Sequence, residues 1–234
     1  MFNMESRLAG PVLNRLVEEL RQPLQTLASL ADLLDLKTAA ADASIRLQTA
    51  GFRDTVRQVD WLLAEAAHAV GPRVFRPDVI NLRPLLDAWV TGLAGQTHSP
   101  VMVEMTAEAC ILYGDAALLE RLVTNVIRLA DQLSAADRRL LLRLGHQPLH
   151  GFPSLCLDFE AHLPHVHAVD FARVDQTQAA SPLRGFSFAL ENCRRILDAH
   201  HAAVEFTDLP DSLLRLRVFF PVLSPEQAGQ LGPA

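Results

Sequence analysis

Leucine and valine recur at helical spacing between residues 8 and 36. Leu13, Leu20, Leu27 and Leu34 form one column at a step of seven. Leu16 and Leu30 form a second, and Val17, Leu24 and Ala31 a third. These are the a, d and e positions of a heptad, a stripe wider than a two-stranded seam requires and suited to a four-helix bundle. Residues 37–44 (KTAAADAS) interrupt the large apolar side chains. A second periodic segment then runs from Ile45 to Val70, with Ile45, Phe52, Val59 and Ala66 in one column and Val56, Leu63 and Val70 beside it. Two long helices across a short link predict an antiparallel hairpin. Half of its apolar stripe would be uncovered, so two copies are expected to pair as a homodimer of four helices. Pro23 falls inside the first helix, where it removes one hydrogen bond at a cost of about 3 kcal/mol. The periodicity continues on both sides of it, which predicts a bend rather than a break.

After Gly71-Pro72 the pattern changes. Val74–Val79 reads as β, Leu82–Gly95 as helix, Val101–Met105 as an alternating strand and Cys110–Tyr113 as a short apolar run. Gly114-Asp115 opens a helix to about Leu133. Strands are expected near Leu140–Leu144 and Leu155–Phe159, followed by an irregular stretch with two prolines, Pro164 and Pro182. A helix over about Phe186–His200 and strands near Ala203–Thr207 and Leu213–Phe220 complete the pattern. The fold class is therefore α+β: a dimerising helical hairpin over residues 1–71, an α/β sandwich over 72–223 and a tail over 224–234.

Composition narrows the function. The chain has 234 residues, half of them hydrophobic, and a formal net charge of −6, so a nucleic-acid partner is not expected. No apolar run approaches the roughly 18 residues of a membrane helix. The start, MFNMESRLAG, lacks the basic and apolar regions of a secretory signal. A cytoplasmic protein without a membrane partner is expected. Cys110, Cys156 and Cys193 are far apart and form no CxxC pair, so they read as small core hydrophobes.

The segment Glu18-Glu19-Leu20-Arg21-Gln22-Pro23-Leu24 resembles the H-box of sensor histidine kinases, His-Glu-Leu-Arg-x-Pro-Leu. Glu18 stands where the family has its phosphoacceptor histidine, and the first 67 residues contain no histidine. Glu19 matches the neighbouring acidic residue that serves as general base. Position 18 is f in the heptad, facing away from the bundle core. A carboxylate is a poor substitute for the nucleophile that a labile P–N bond requires.

The order of elements after residue 72 resembles the catalytic domain of the same kinases, in the superfamily of gyrase and Hsp90. Tyr113-Gly114-Asp115, Leu119, Leu122 and Asn125 match the approach to the N-box. That box reads Asn125-Val126-Ile127-Arg128-Leu129-Ala130, with Leu129 in place of the family's Mg²⁺-binding asparagine. Leucine has no oxygen for a hard cation. Asp158-Phe159-Glu160-Ala161-His162-Leu163-Pro164 resembles the box Asp-x-Gly-x-Gly-Ile. The resemblance implies that Asp158 corresponds to the adenine-binding aspartate, while Glu160 and His162 replace both glycines. Of the later glycine-rich box only Gly185 remains, before Phe186 and Phe188, which are expected to crowd a phosphate.

The resemblance implies a nucleotide-pocket remnant of Asn125, Asp158 and Gly185, with no catalytic group, no ATP or Mg²⁺ cofactor and no metal. His162, His165 and His167 form an HxxHxH pattern without acidic or cysteine ligands at firm spacing. His200-His201 reads as an imidazolium cap at a helix C-terminus. The function implied is a non-catalytic, histidine-kinase-like signalling protein of a two-component pathway. Its partner would be a response-regulator receiver domain or another histidine kinase, met by Glu18, Arg21, Gln22, Gln25 and Ser29. The alternative is a phosphotransferase, or a weakly active kinase with an unconventional acceptor.

Overall fold

Asp115 shows how local sequence sets the frame. It follows a strand and precedes an apolar-periodic run, and its Oδ1 accepts from the backbone N–H of Ala117 (3.1 Å) and Leu118 (3.2 Å), capping the helix Ala116–Leu133. The computed structural model describes residue 20 and residues 25–34, 43–70, 74–106, 108–134, 138–172, 183 and 186–222. The chain divides into two compact units, Met1–Arg73 and Val74–Ala234.

In the first unit, residues 25–34 (α1) and Ala43–Val70 (α2) are helical. Ala31, Val56, Trp61 and Ala66 are buried. Other members of two period-seven columns are not: Leu20, Leu27 and Leu34 are 38%, 39% and 46% exposed, and Ile45, Phe52 and Val59 are 47%, 41% and 39% exposed, whereas Ala66 of the second column is buried. Pro23 and the link between the helices lie outside the described residues. Among the described residues, no helix is long and apolar enough to cross a membrane.

The second unit runs β1 (Asp78–Asn81), α3 (Leu82–Leu93), β2 (Val101–Met105), β3 (Ile111–Gly114), α4 (Ala116–Leu133), β4 (Leu140–His146), β5 (Ser154–His162), α5 (Ala168–Ala172), α6 (Ser187–Ala199), β6 (Ala203–Leu209) and β7 (Leu213–Pro221). β1 and β3 pair as a two-stranded antiparallel sheet. The other strands form a five-stranded sheet in the order β2-β4-β5-β7-β6, with β2 and β4 parallel and the remaining neighbours antiparallel. One face is apolar: Leu142 and Leu144, Leu157 and Phe159, and Leu214 and Val218 are buried in a core shared with α3, α4 and α6. The three cysteines are buried and free.

The opposite face carries charge. Cross-strand register aligns Glu104, Arg143, Asp158, Arg217 and Glu205 in one row over all five strands, alternating in sign, with Glu160 and Arg215 paired in the next row. Arg143 meets Glu104 at 2.9 Å and Glu160 at 3.2 Å, Arg215 meets Glu160 at 2.7 Å, and Arg217 meets Glu205 at 2.7 Å. Asp158 is less well served, with Arg143 at 3.8 Å and Arg215 at 3.6 Å. Its Oδ1 is buried without a hydrogen-bond partner among the described residues. Burial accordingly raises the Asp158 pKa, against the opposing pull of Arg215 and Arg143. Burial also pushes Glu160 upward, but hydrogen bonds from Arg215 and Arg143 outweigh it and hold that carboxyl below its ordinary value.

A second polar node joins helix ends. His200 closes α6 as expected, but it is 5% exposed, where burial disfavours the imidazolium. The Asp115 backbone N–H donates to its Nε2 at 3.0 Å, so the proton sits on Nδ1, which donates to the Ile196 carbonyl at 2.7 Å. The ring meets Phe75 edge-on at 5.1 Å. The Arg76 N–H donates to Asp115 Oδ2 at 2.8 Å, which takes this stretch out of sheet pairing, so β1 starts at Asp78 and not at Val74. Burial lowers the His200 pKa from 6.5. A Cβ on Gly114 would lie 2.7 Å from the His200 ring, so glycine is required there for close approach.

Two further differences from the sequence reading have local causes. Within the proline-containing stretch, α5 forms where Asp170 accepts from the His167 N–H (2.8 Å) and Phe171 stacks on Phe206 at 4.5 Å. Phe186 is buried in the core, and only Phe188 of the two phenylalanines is exposed.

Four variants check these assignments. Glu160→Gln removes a carboxylate that the fold favours as an anion and is expected to cost about 1–2 kcal/mol in urea unfolding at pH 7. Asp158→Asn removes one that the fold disfavours and is expected to be neutral or slightly stabilising. For His200 the unfolded chain binds its proton first, so its contribution is complete above pH 6.5 and is lost as the pH falls below that value. His200→Gln is expected to lose about 1–3 kcal/mol at pH 8. It should also show a shallower stability decline between pH 7 and 5 than the parent protein. Gly114→Ala is expected to cost about 1–3 kcal/mol through overpacking against the same ring.

Candidate functional site

The residues that the motifs gather around a nucleotide are separated by the sheet. Asn125 is 1% exposed in α4, on the helical side. Asp158 projects to the opposite face, into the row of arginines and carboxylates. Strand parity decides this, because successive side chains of β5 leave on alternate faces. Leu155, Leu157, Phe159 and Ala161 are buried under the helices, so Asp158 and Glu160 must leave on the other side. Gly185 lies outside the described residues, as do Glu18, Glu19, Arg21 and Gln22. Gln25 and Ser29 are exposed on α1, where the Ser29 hydroxyl donates to the Gln25 carbonyl at 3.0 Å.

Between the sheet and the helices lies a cavity of about 510 Å³. Leu122, Val126 and Leu129 of α4 form one wall, and Phe159, Ala161 and Leu163 the floor. Leu190, Cys193 and Leu197 of α6 face them, and Phe171 and Phe206 close the side nearest β6. Glu191, Arg194 and Asp198 are the charged residues among the lining. Leu129 therefore sits on the wall, while Asn125, one turn earlier, does not line it.

These described walls do not fit magnesium–nucleotide. Mg²⁺ demands oxygen ligands near octahedral geometry, and α4 and β5 offer methyl, methylene and phenyl groups. An adenine-binding carboxylate would have to emerge inward from β5, where Phe159 stands. His165 and His167 are exposed in and after the turn beyond β5, and no group of three or more metal-ligating side chains occurs among the described residues. The inward triplet Phe159, Ala161 and Leu163 was readable from alternation. The contribution of Phe171 and Phe206 was not, since it depends on α5 and an edge strand meeting in space.

By sequence, no protein-family model and no curated protein matches the chain. Solved structures do. The histidine kinase ShkA, in the crystal structure of its full-length form in complex with AMPPNP, superposes with a TM-score of 0.60 at 17% identity over 92% of this chain. The match takes in 47% of ShkA, so the chain spans about half of that protein's length. The solved chain of the Acinetobacter baumannii histidine kinase AdeS gives a TM-score of 0.50 at 12% identity, covering 88% of this chain and 98% of that one. The chain has the fold of a histidine-kinase core.

Proposed function

We propose that the chain is a non-catalytic signalling protein of a two-component pathway, built as a dimeric four-helix bundle with a sandwich of the gyrase and Hsp90 type. One observation carries the reading. In a histidine-kinase fold, the cavity between helices and sheet is walled by Leu129, Phe159 and Ala161, where metal and adenine would need oxygen. Glu18 at the acceptor position of the H-box agrees with it. A chain with no oxygen at those positions and no histidine in its H-box would act by binding. The face that Glu18, Arg21, Gln22, Gln25 and Ser29 share would meet a response-regulator receiver or another histidine kinase.

The two exposed columns supply the reason for dimerisation. Leu20, Leu27 and Leu34 and Ile45, Phe52 and Val59 expose apolar surface along both helices. A second copy bearing the same columns would cover it, at roughly 25 cal/mol per Å² removed from water.

Multi-angle light scattering is expected to give a dimer, and Leu27→Glu with Phe52→Glu a monomer. Each buried unpaired carboxylate costs several kcal/mol, so the dissociation constant should rise at least about a hundredfold. Incubation with labelled magnesium–ATP should leave no acid-labile label on the chain. Label acquired from a phosphorylated receiver would instead establish the phosphotransferase reading. A receiver domain is expected to bind the parent at least about tenfold more tightly than an Arg21→Glu, Gln25→Lys variant; equal affinity would reject the proposed face.

A further inference from the structure

The cavity beneath α6 is too large to be a packing defect and has the wrong chemistry for a nucleotide. Protein interiors hold few voids larger than a water molecule. A volume of about 510 Å³ falls in the range of small-molecule sites. Its walls are contributed by three helices and three strands, so it is framed by the core of the unit and not by one loop. Phe171 and Phe206, stacked at 4.5 Å with their planes 12° apart, form a flat aromatic side wall.

The charges among the lining lie along one stripe of α6. Glu191, Arg194 and Asp198 line the cavity, and Glu191 Oε1 also accepts from Arg195 Nε at 2.7 Å. Two carboxylates and two guanidinium groups thus balance along the helix, so neither an anionic nor a cationic ligand head gains a net attraction. Water gains little from walls that offer it few partners.

We propose that this cavity is a binding site for an uncharged, predominantly apolar small molecule. Such a ligand removes methyl and phenyl surface from water without leaving a charge to desolvate. The site is independent of the helical columns, and it stands whether or not the chain dimerises.

The test uses two probes of one shape: N-phenyl-1-naphthylamine, which is uncharged, and 1-anilinonaphthalene-8-sulfonate, which adds a sulfonate. Titrated against the full chain, the uncharged probe is expected to saturate at one per chain with blue-shifted emission. The sulfonate should bind at least about tenfold more weakly. Val126→Trp, which places an indole in the cavity, is expected to weaken the uncharged probe at least about tenfold, whereas Leu27→Glu with Phe52→Glu should leave its affinity unchanged. If Val126→Trp does not fold, methyl NMR of the parent decides: the probe should shift the Leu129, Val126 and Ala161 methyl signals. Three results would each overturn the proposal: no saturable binding, equal affinity for both probes, or probe binding abolished by the helical double variant with the Val126, Leu129 and Ala161 signals unmoved.

Discussion

Side chains leave a β-strand on alternate faces, and in a sheet covered by helices on one side that alternation sorts chemistry. Along β5 the set that enters the core under the helices is Leu155, Leu157, Phe159 and Ala161. Sliding the strand by one residue would put Asp158 and Glu160 under the helices and four apolar side chains on the charged face, at a cost no local contact could offset. The parity of this central strand therefore fixes two things at once. It gives the charged face its row of alternating ions, and it gives the helical side a floor of phenyl and methyl groups. What the cavity can hold follows from that choice.

The helical layer is held to the sheet by packing and by the node at His200. A neutral imidazole there satisfies the last turn of α6 and the backbone N–H of Asp115, while Asp115 satisfies the first turn of α4. Helix termini leave orphan donors and acceptors, and burying them requires partners from elsewhere in the chain. One ring and one carboxylate, 85 residues apart in sequence, do this together. Gly114 allows the approach, and Phe75 lies against the ring.

Much of this was legible in the chain. Period-seven apolar columns located α1 and α2, alternation located β2 at its observed bounds, and the Asp115 cap located α4. The cavity was partly legible too, since Leu129 was recognised as lacking an oxygen for a metal. Reading Asp158 by its neighbours in a motif, and not by the faces of its strand, led toward an adenine contact. The apolar residues at every second position around it carried the contrary signal. His200 does close α6, as its place at a helix end suggested, but as a buried ring whose charged form burial disfavours, which only its distant partner reveals. The helix α5 depended on Phe171 meeting Phe206, a tertiary contact that overrides the prolines nearby.

The ionic row ends in a carboxylate at each side of the sheet. Glu104 on β2 and Glu205 on β6 occupy the two edge strands, with side chains 58% and 37% exposed. Unpaired edges invite other chains to add strands. Here a second molecule aligning its own edge at this level would bring acid against acid, since both margins present the same sign. The arrangement that balances charge within one sheet thus discourages sheets from joining side to side.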